Sequence, residues 1–294
     1  MRATAGPVAP GPAPARPGSG RLARLWATRR ERASELALDL LVGTGLCRVV
    51  VMRAHGVRIR LTPAAMCRYL WRDRRAYAAD LAIYPRLLRP GDTVVDAGAN
   101  IGLVALVAAR AVGARGQVHA IEAHPVVAGY LSENVRINRA ANVRVHQVAL
   151  GDRPGVVRLA THPGDDSQNH VAAEGPGTTV AVVRLDELLA AVGRVDLLKV
   201  DVEGYERFVV AGARGLLPRT RMIYFEAWER HAGRYGYTVG ELIGDVQREG
   251  FVVGRLAGDG FRRVGADHVA AECENLLALR DVDDFQSRTG YRLV

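Results

Sequence analysis

From residue 93 onward, short apolar runs alternate with longer segments whose apolar residues recur at helical spacing. That alternation predicts successive β-α-β units and a parallel sheet. Strands are expected near 93–96, 117–121, 143–148, 195–200, 221–226, 251–255 and 275–279, with helices near 101–112, 125–138, 185–192, 204–214 and 238–249. The fold class is therefore α/β, a doubly wound and mostly parallel sheet. Residues 155–183 interrupt the rhythm: VVRLA and TTVAVV flank the polar loop HPGDDSQNH, as in a hairpin inserted above the sheet. Its tip could close over a ligand, although turn chemistry alone explains its Asp, Ser and Asn equally well.

Ahead of this pattern lie two different stretches. Residues 1–20 are Pro, Ala and Gly with almost no large apolar side chain, the composition of a disordered tail, and they lack the apolar core of a secretory signal. Residues 21–90 read as a basic, mainly helical extension, and residues 91–294 as one catalytic-size unit. In RLARLWATRRERASELALDLL, Leu22, Leu25 and Trp26 share a helical face, suited to packing on the main unit or, across residues 21–53, to lying on a membrane surface. The run from Leu36 to Met52 is too short and too polar, with Asp39, Arg48, Gly43 and Gly45, to span a bilayer. VRIRL at 57–61 alternates like a strand, and Arg68–Leu88 reads as one helix stopped by Pro90 and Gly91.

Composition changes the picture in two places. The net charge of +9 is concentrated at the front, where residues 1–90 hold 17 Arg against 5 acids, while the remainder holds 23 basic residues against 26 acids. An anionic partner or a plain compositional bias both account for that. Cys47, Cys67 and Cys273 are widely spaced, with no pattern of a disulfide framework or zinc site, and a reducing cytoplasm fits them. The second feature is a singular residue: of 40 basic side chains 39 are Arg, and Lys199 in LLKVDVEG is the only lysine. Where Arg is used everywhere else, a lone lysine marks a place that needs a compact ammonium rather than a planar fork. Lys199, Asp201 and Glu203 alternate at the carboxyl end of a buried strand, the edge at which open α/β sheets bind ligands. A structural ion pair is the plainer alternative.

TVVDAGANIGLVALVAAR describes a strand, a glycine turn and a helix start. Gly98 and Gly102 allow backbone angles and close approach that a Cβ would block. The order Asp96, Gly98, Asn100, Gly102 is not the dinucleotide GxGxxG pattern, because an acid closing the strand repels a pyrophosphate but favours a cationic aminoacid ligand. About 20 residues on, Glu122 ends the next strand, where a carboxylate can take both hydroxyls of a ribose.

The succession DAGANIG, IEAHPVVAGYLSENVRIN, VALGD, LDELL, LLKVDVEGYE and IYFEAWE over roughly residues 75–280 resembles the FkbM-type family of S-adenosylmethionine-dependent methyltransferases. The resemblance implies a Rossmann-like class I methyltransferase fold with a seven-stranded sheet, S-adenosylmethionine as cofactor, and methylation of hydroxyl oxygens. It assigns Asp96, Gly98, Asn100 and Gly102 to the cofactor turn, Glu122 to the ribose, and Gln147 to Ala149 to the neighbourhood of the adenine. Ala123 stands where the family often has Pro.

Transfer to a hydroxyl requires alignment and removal of a proton. Lys199, Asp201, Glu203 and Glu226 all fall at strand ends near the reacting centre, with Asp201 or Glu203 the candidate base and Lys199 orienting it or stabilising a forming alkoxide. A divalent cation held by Asp201, Glu203 and Glu226 is a rival not favoured, and the histidines lack metal-like spacing. His231 reads as a solvated loop histidine, the alternative being a residue that borders the substrate; Trp228, Tyr235 and Tyr237 read as core or substrate wall, and Asp186 as the N-cap of LDELLA. The expected partner is a small-molecule or glycan hydroxyl acceptor. An RNA-modifying or RNA-binding protein using the basic front is the alternative, and it lacks interleaved aromatics.

Overall fold

The structure, a computed structural model, describes residues 21–160, 169–172 and 174–294. The expected tail at 1–20, the tip of the polar loop at 161–168 and the side-chain face of Leu22, Leu25 and Trp26 lie outside what is described. In chain order the strands are β1 (Val51–Ala54), β2 (Val57–Arg60), β3 (Thr93–Ala97), β4 (Gln117–Ile121), β5 (Val143–His146), β6 (Ala149–Leu150), β7 (Gly155–Ala160), β8 (His170–Ala172), β9 (Thr178–Val183), β10 (Val195–Val200), β11 (Thr220–Ala227), β12 (Val252–Ala257), β13 (Gly260–Arg263), β14 (Glu274–Leu279) and β15 (Arg292–Leu293). The helices are α1 (Arg21–Gly43), α2 (Ala65–Arg72), α3 (Ala78–Leu81), α4 (Tyr84–Leu87), α5 (Leu103–Val112), α6 (Pro125–Asn138), α7 (Leu185–Leu188), α8 (Glu206–Ala211), α9 (Glu229–Gly233), α10 (Val239–Arg248) and α11 (Val282–Thr289).

The main sheet runs β15-β13-β12-β14-β11-β10-β3-β4-β5. Strands β5, β4, β3, β10 and β11 are mutually parallel, and β14 enters antiparallel between β11 and β12. The seven expected strands are all present, and β13 and β15 widen the sheet to nine. The extra hairpin is a strand pair not among those expected from the sequence, although Gly258 and Asp259, which form its two-residue loop, are a pair suited to such a turn.

Alternation along each strand feeds two cores. Val94, Val118, Ala120, Leu197 and Leu277 point into a core beneath α1, α2, α5 and α11, while Val95, Ala97, Ile121, Leu198 and Phe225 point into one built with α8 and α10. Each fully buried Leu, Ile or Phe in these layers contributes roughly 1.5–3 kcal/mol. In α10 the buried positions Val239, Leu242, Ile243 and Val246 follow helical spacing, and Thr238 with Glu241 closes a capping box at its start. The expected hairpin at 155–183 is β7 paired antiparallel with β9, joined by β8 and β6 in a separate four-stranded sheet.

Three expectations are corrected. Arg68–Leu88 is three short helices rather than one: Asp73 leaves the helix and its carboxylate accepts the Arg75 amide at 2.8 Å, and Tyr77 adopts a left-handed φ of 66°. The helix expected at 185–192 is only the single turn α7. Arg184, not Asp186, occupies its N-cap, and Asp186 instead accepts the amides of Gly215 and Leu216 at 3.1 and 2.8 Å, tying down the loop after α8.

The turn after β3 is the tightest point of the fold. Gly98 has φ 79°, its amide and that of Ala99 donate to the Ile121 carbonyl, and a Cβ there would stand 1.8 Å from the Asp201 carbonyl oxygen. Gly98→Ala is therefore expected to destabilise the protein by about 3 kcal/mol or more and to weaken cofactor binding in parallel, measurable by denaturant unfolding and calorimetry. A variant as stable as the parent would show that the β3 and β10 loops are not pressed together.

Candidate active site

The carboxyl ends of β3, β4, β10 and β11 open into a cavity of about 420 Å³, within the range of small-molecule sites. Gly98, Asn100, Glu122, Ala149, Lys199, Asp201, Glu203 and Glu226 line it. Three expected cofactor residues do not. Asp96 is fully buried below it, Gly102 packs where a Cβ would meet Leu131, and Gln147 is exposed while Val148 and Leu150 line the wall.

At the floor, the Lys199 ammonium lies 3.2 Å from the Gly98 carbonyl, 3.2 Å from Asp96 Oδ1 and 3.3 Å from Asp201 Oδ2. Three donors converge on three oxygens within one small volume, which an ammonium can do and a planar guanidinium cannot. Burial works against its charge, yet the carboxylates of Asp201 and Asp96 outweigh that and hold it firmly protonated. Asp96 forms an ion pair with it, and among the described residues its buried carboxylate oxygens have no hydrogen-bond partner besides that contact. Removing the ammonium would strand a buried charge.

Glu122 is fixed at the rim: one carboxylate oxygen accepts the Asn100 amide at 2.9 Å and the other the His124 amide at 2.8 Å. A carboxylate has about four acceptor sites, so ribose hydroxyls can be taken on beside these amides. The glycine turn and the acid after β4 are thus physically joined.

The far wall is a group of acids with divided protonation. Burial first, and then the neighbouring Glu226 and Asp201 carboxylates, push Glu203 up to about 9. Burial also opposes charge on Glu226, but hydrogen bonds from His231 and Cys273 hold it below the usual carboxylate range. His231 Nδ1 lies 3.1 Å from Glu226 Oε2, and the Cys273 thiol donates to Oε1 at 3.1 Å. His231 is buried, contrary to the expected solvated loop histidine, because Trp228 covers its ring at 4.3 Å. Tyr237 is buried, and it and Tyr235 pack with Phe208 outside the cavity wall.

Sequence reasoning missed two contributions. Glu206, buried at the start of α8, accepts the Val202 and Gly204 amides at 2.9 and 3.1 Å and faces the Tyr237 hydroxyl at 3.2 Å. It holds the loop in which Glu203 adopts φ 57°, a conformation that needs such support. Burial and then Glu226 push Glu206 up to about 7. The second contribution comes from the front extension, whose Met66, Tyr77, Asp80 and Tyr84 form a wall of the same cavity. The rival cation triad of Asp201, Glu203 and Glu226, not favoured from the sequence, is not what converges: a ligand atom each from Glu203, Glu226 and His231 lies within 4.8 Å of the others.

Lys199→Met is expected to lower stability by about 3–5 kcal/mol, and adding Asp96→Asn to recover part of that loss, as read in a denaturant double-mutant cycle. Additive losses would refute the coupling. Because the folded pKa of Glu203 is raised, the folded state holds a proton that the unfolded state releases between about pH 4.5 and 9, so this group's contribution to stability falls as pH rises through that window. Glu203→Gln should flatten the decline of the melting temperature between about pH 4.5 and 9, and an unchanged slope would contradict it.

Residues 96–253, more than half the chain, match the family described as the methyltransferase FkbM domain. The 31-O-demethyl-FK506 methyltransferase FkbM of Streptomyces tacrolimicus is 30% identical over 201 residues, covering 56% of this chain and 75% of that protein. The 2-O-methyltransferase NoeI of Sinorhizobium fredii is 29% identical, covering 48% of this chain and 65% of that protein. The solved methyltransferase FkbM from Methylobacillus flagellatus superposes with a TM-score of 0.44 at 16% identity, over 72% of this chain and 54% of that one. The glycine turn joined to an acid after β4, the ammonium floor and the family match over residues 96–253 agree: the chain belongs to the FkbM methyltransferase family and is an S-adenosylmethionine-dependent enzyme.

Proposed function

We propose that the protein methylates a hydroxyl oxygen on a small metabolite, a sugar or a lipid-linked glycan. Two relatives whose names denote O-methylation support this reading. The observation that carries it is a set of carboxylates opening onto the cavity beside the Lys199 ammonium.

S-adenosylmethionine supplies an electrophilic methyl group on a positively charged sulfur. Glu122 would hold its ribose, the Gly98–Asn100 turn would lie against its aminoacid end, and Val148 to Leu150 would flank its base. The other residues serve the hydroxyl. An alcohol is too weak an acid to attack unaided at neutral pH, so a carboxylate must take its proton as the new bond forms. Glu203 carries its own proton at neutral pH and suits donating a hydrogen bond. Glu226 is ionised, but its two oxygens are engaged by His231 and Cys273. Asp201 is the open acid, its side chain 39% exposed against 14% for Glu203 and Glu226. The hydroxyl proton is therefore assigned to the Asp201 carboxylate, with Lys199 orienting it and offsetting charge on the oxygen.

Methyl-labelled cofactor added to an extract that lacks this enzyme should label an O-methyl product. Asp201→Asn should reduce that labelling by about 10²–10⁴-fold while cofactor affinity by calorimetry changes only a few-fold. Label on nitrogen, on carbon or in RNA would overturn the reading.

A further inference from the structure

The outer face of the front extension carries chemistry that methyl transfer does not use. Helix α1 packs on α2 with one side: Leu38 is buried, the Trp71 indole donates to the Ser34 carbonyl at 3.0 Å, and Glu35 and Asp39 pair with Arg72 and Arg68 at 2.7 and 2.9 Å. Its opposite side exposes Ala33, Leu36, Ala37 and Leu40, an i, i+3, i+4, i+7 stripe of apolar residues. Leu36 is 71% and Leu40 66% exposed, and the segment that follows leaves Val49 75% exposed, with Leu46 and Val51 exposed as well. Single exposed leucines are ordinary, but an apolar helical stripe followed closely in the chain by three more exposed aliphatic side chains is not.

Charge completes the pattern. Arg32, Arg48, Arg53 and Arg58 are exposed on this extension, while the two described acids of α1, Glu35 and Asp39, are turned to the arginines of α2. The extension thus exposes aliphatic side chains and cations together, while its described α1 acids are engaged with α2. Among the described residues no helix is long and apolar enough to cross a membrane.

We infer that this face docks on an anionic lipid surface, the aliphatic stripe entering the headgroup boundary and the arginines meeting lipid phosphates. Aliphatic side chains give RNA bases nothing to stack on, which favours lipid over nucleic acid as the anionic partner. The same extension reaches the catalytic cavity, since α2 grips α1 through Arg68, Trp71 and Arg72 and lines the cavity with Met66. Docking would therefore place the acceptor site beside the lipid.

Full-length protein should sediment with vesicles of equal parts phosphatidylcholine and phosphatidylglycerol and much less with phosphatidylcholine alone. Leu36→Glu with Leu40→Glu should weaken that partition at least about tenfold, and Arg53→Glu about fivefold. Both variants should keep the parent's melting temperature and cofactor affinity, because the altered side chains are exposed. Sedimentation that is absent, or that the leucine variant leaves unchanged, overturns the inference. So does a dimer in light scattering that the leucine variant dissolves, or RNA retention that survives the leucine variant while vesicle binding is absent.

Discussion

The ion triple in which Lys199 joins buried Asp96 to the more open Asp201 is the constraint around which the rest of the site is arranged. Two carboxylates at the ends of adjacent strands, β3 and β10, repel each other in a place with little water, and one ammonium between them makes the arrangement tolerable. The same ammonium donates to the Gly98 carbonyl, so the cofactor turn, the strand and the candidate base share one cation. A wider side chain at Gly98 or a planar cation at 199 would spoil that meeting. This is a physical reason for a single lysine in a chain that otherwise uses arginine.

The acids beyond this triple are sorted by their neighbours rather than by their sequence. The Glu203 and Glu226 side chains are equally exposed, yet hydrogen bonds from His231 and Cys273 keep Glu226 ionised while burial and then repulsion leave Glu203 protonated. One proton donor, one charged spectator and one open carboxylate at Asp201 are thus produced from chemically alike side chains. The loop that separates them depends on Glu206, whose carboxylate closes the backbone from Val202 to Gly204.

Much of this was legible along the chain. Apolar runs of strand length located the seven core strands because burial on both faces leaves an unmistakable pattern, and Glu122 was identifiable from its distance to the glycine turn. What escaped depended on contacts distant in sequence. Asp186 looked like a cap, but its partners are amides about 30 residues later. His231 looked solvated because Trp228, which covers it, could equally have faced elsewhere. Arg68–Leu88 had helical composition, and only an Asx-type turn at Asp73 and the left-handed Tyr77 divide it. That division bends the extension back so that Tyr77, Asp80 and Tyr84 reach the cavity.

Lys199 being the only lysine permits a direct test of the ion triple. Protein grown with lysine labelled at the ε-carbon and ζ-nitrogen should show one side-chain signal by NMR. The structure predicts that this signal stays that of the charged form where an ordinary lysine titrates, at about pH 10.4, and that it shifts when S-adenosylmethionine is added. A signal that titrates like a solvated lysine, or one that is indifferent to the cofactor, would contradict the account.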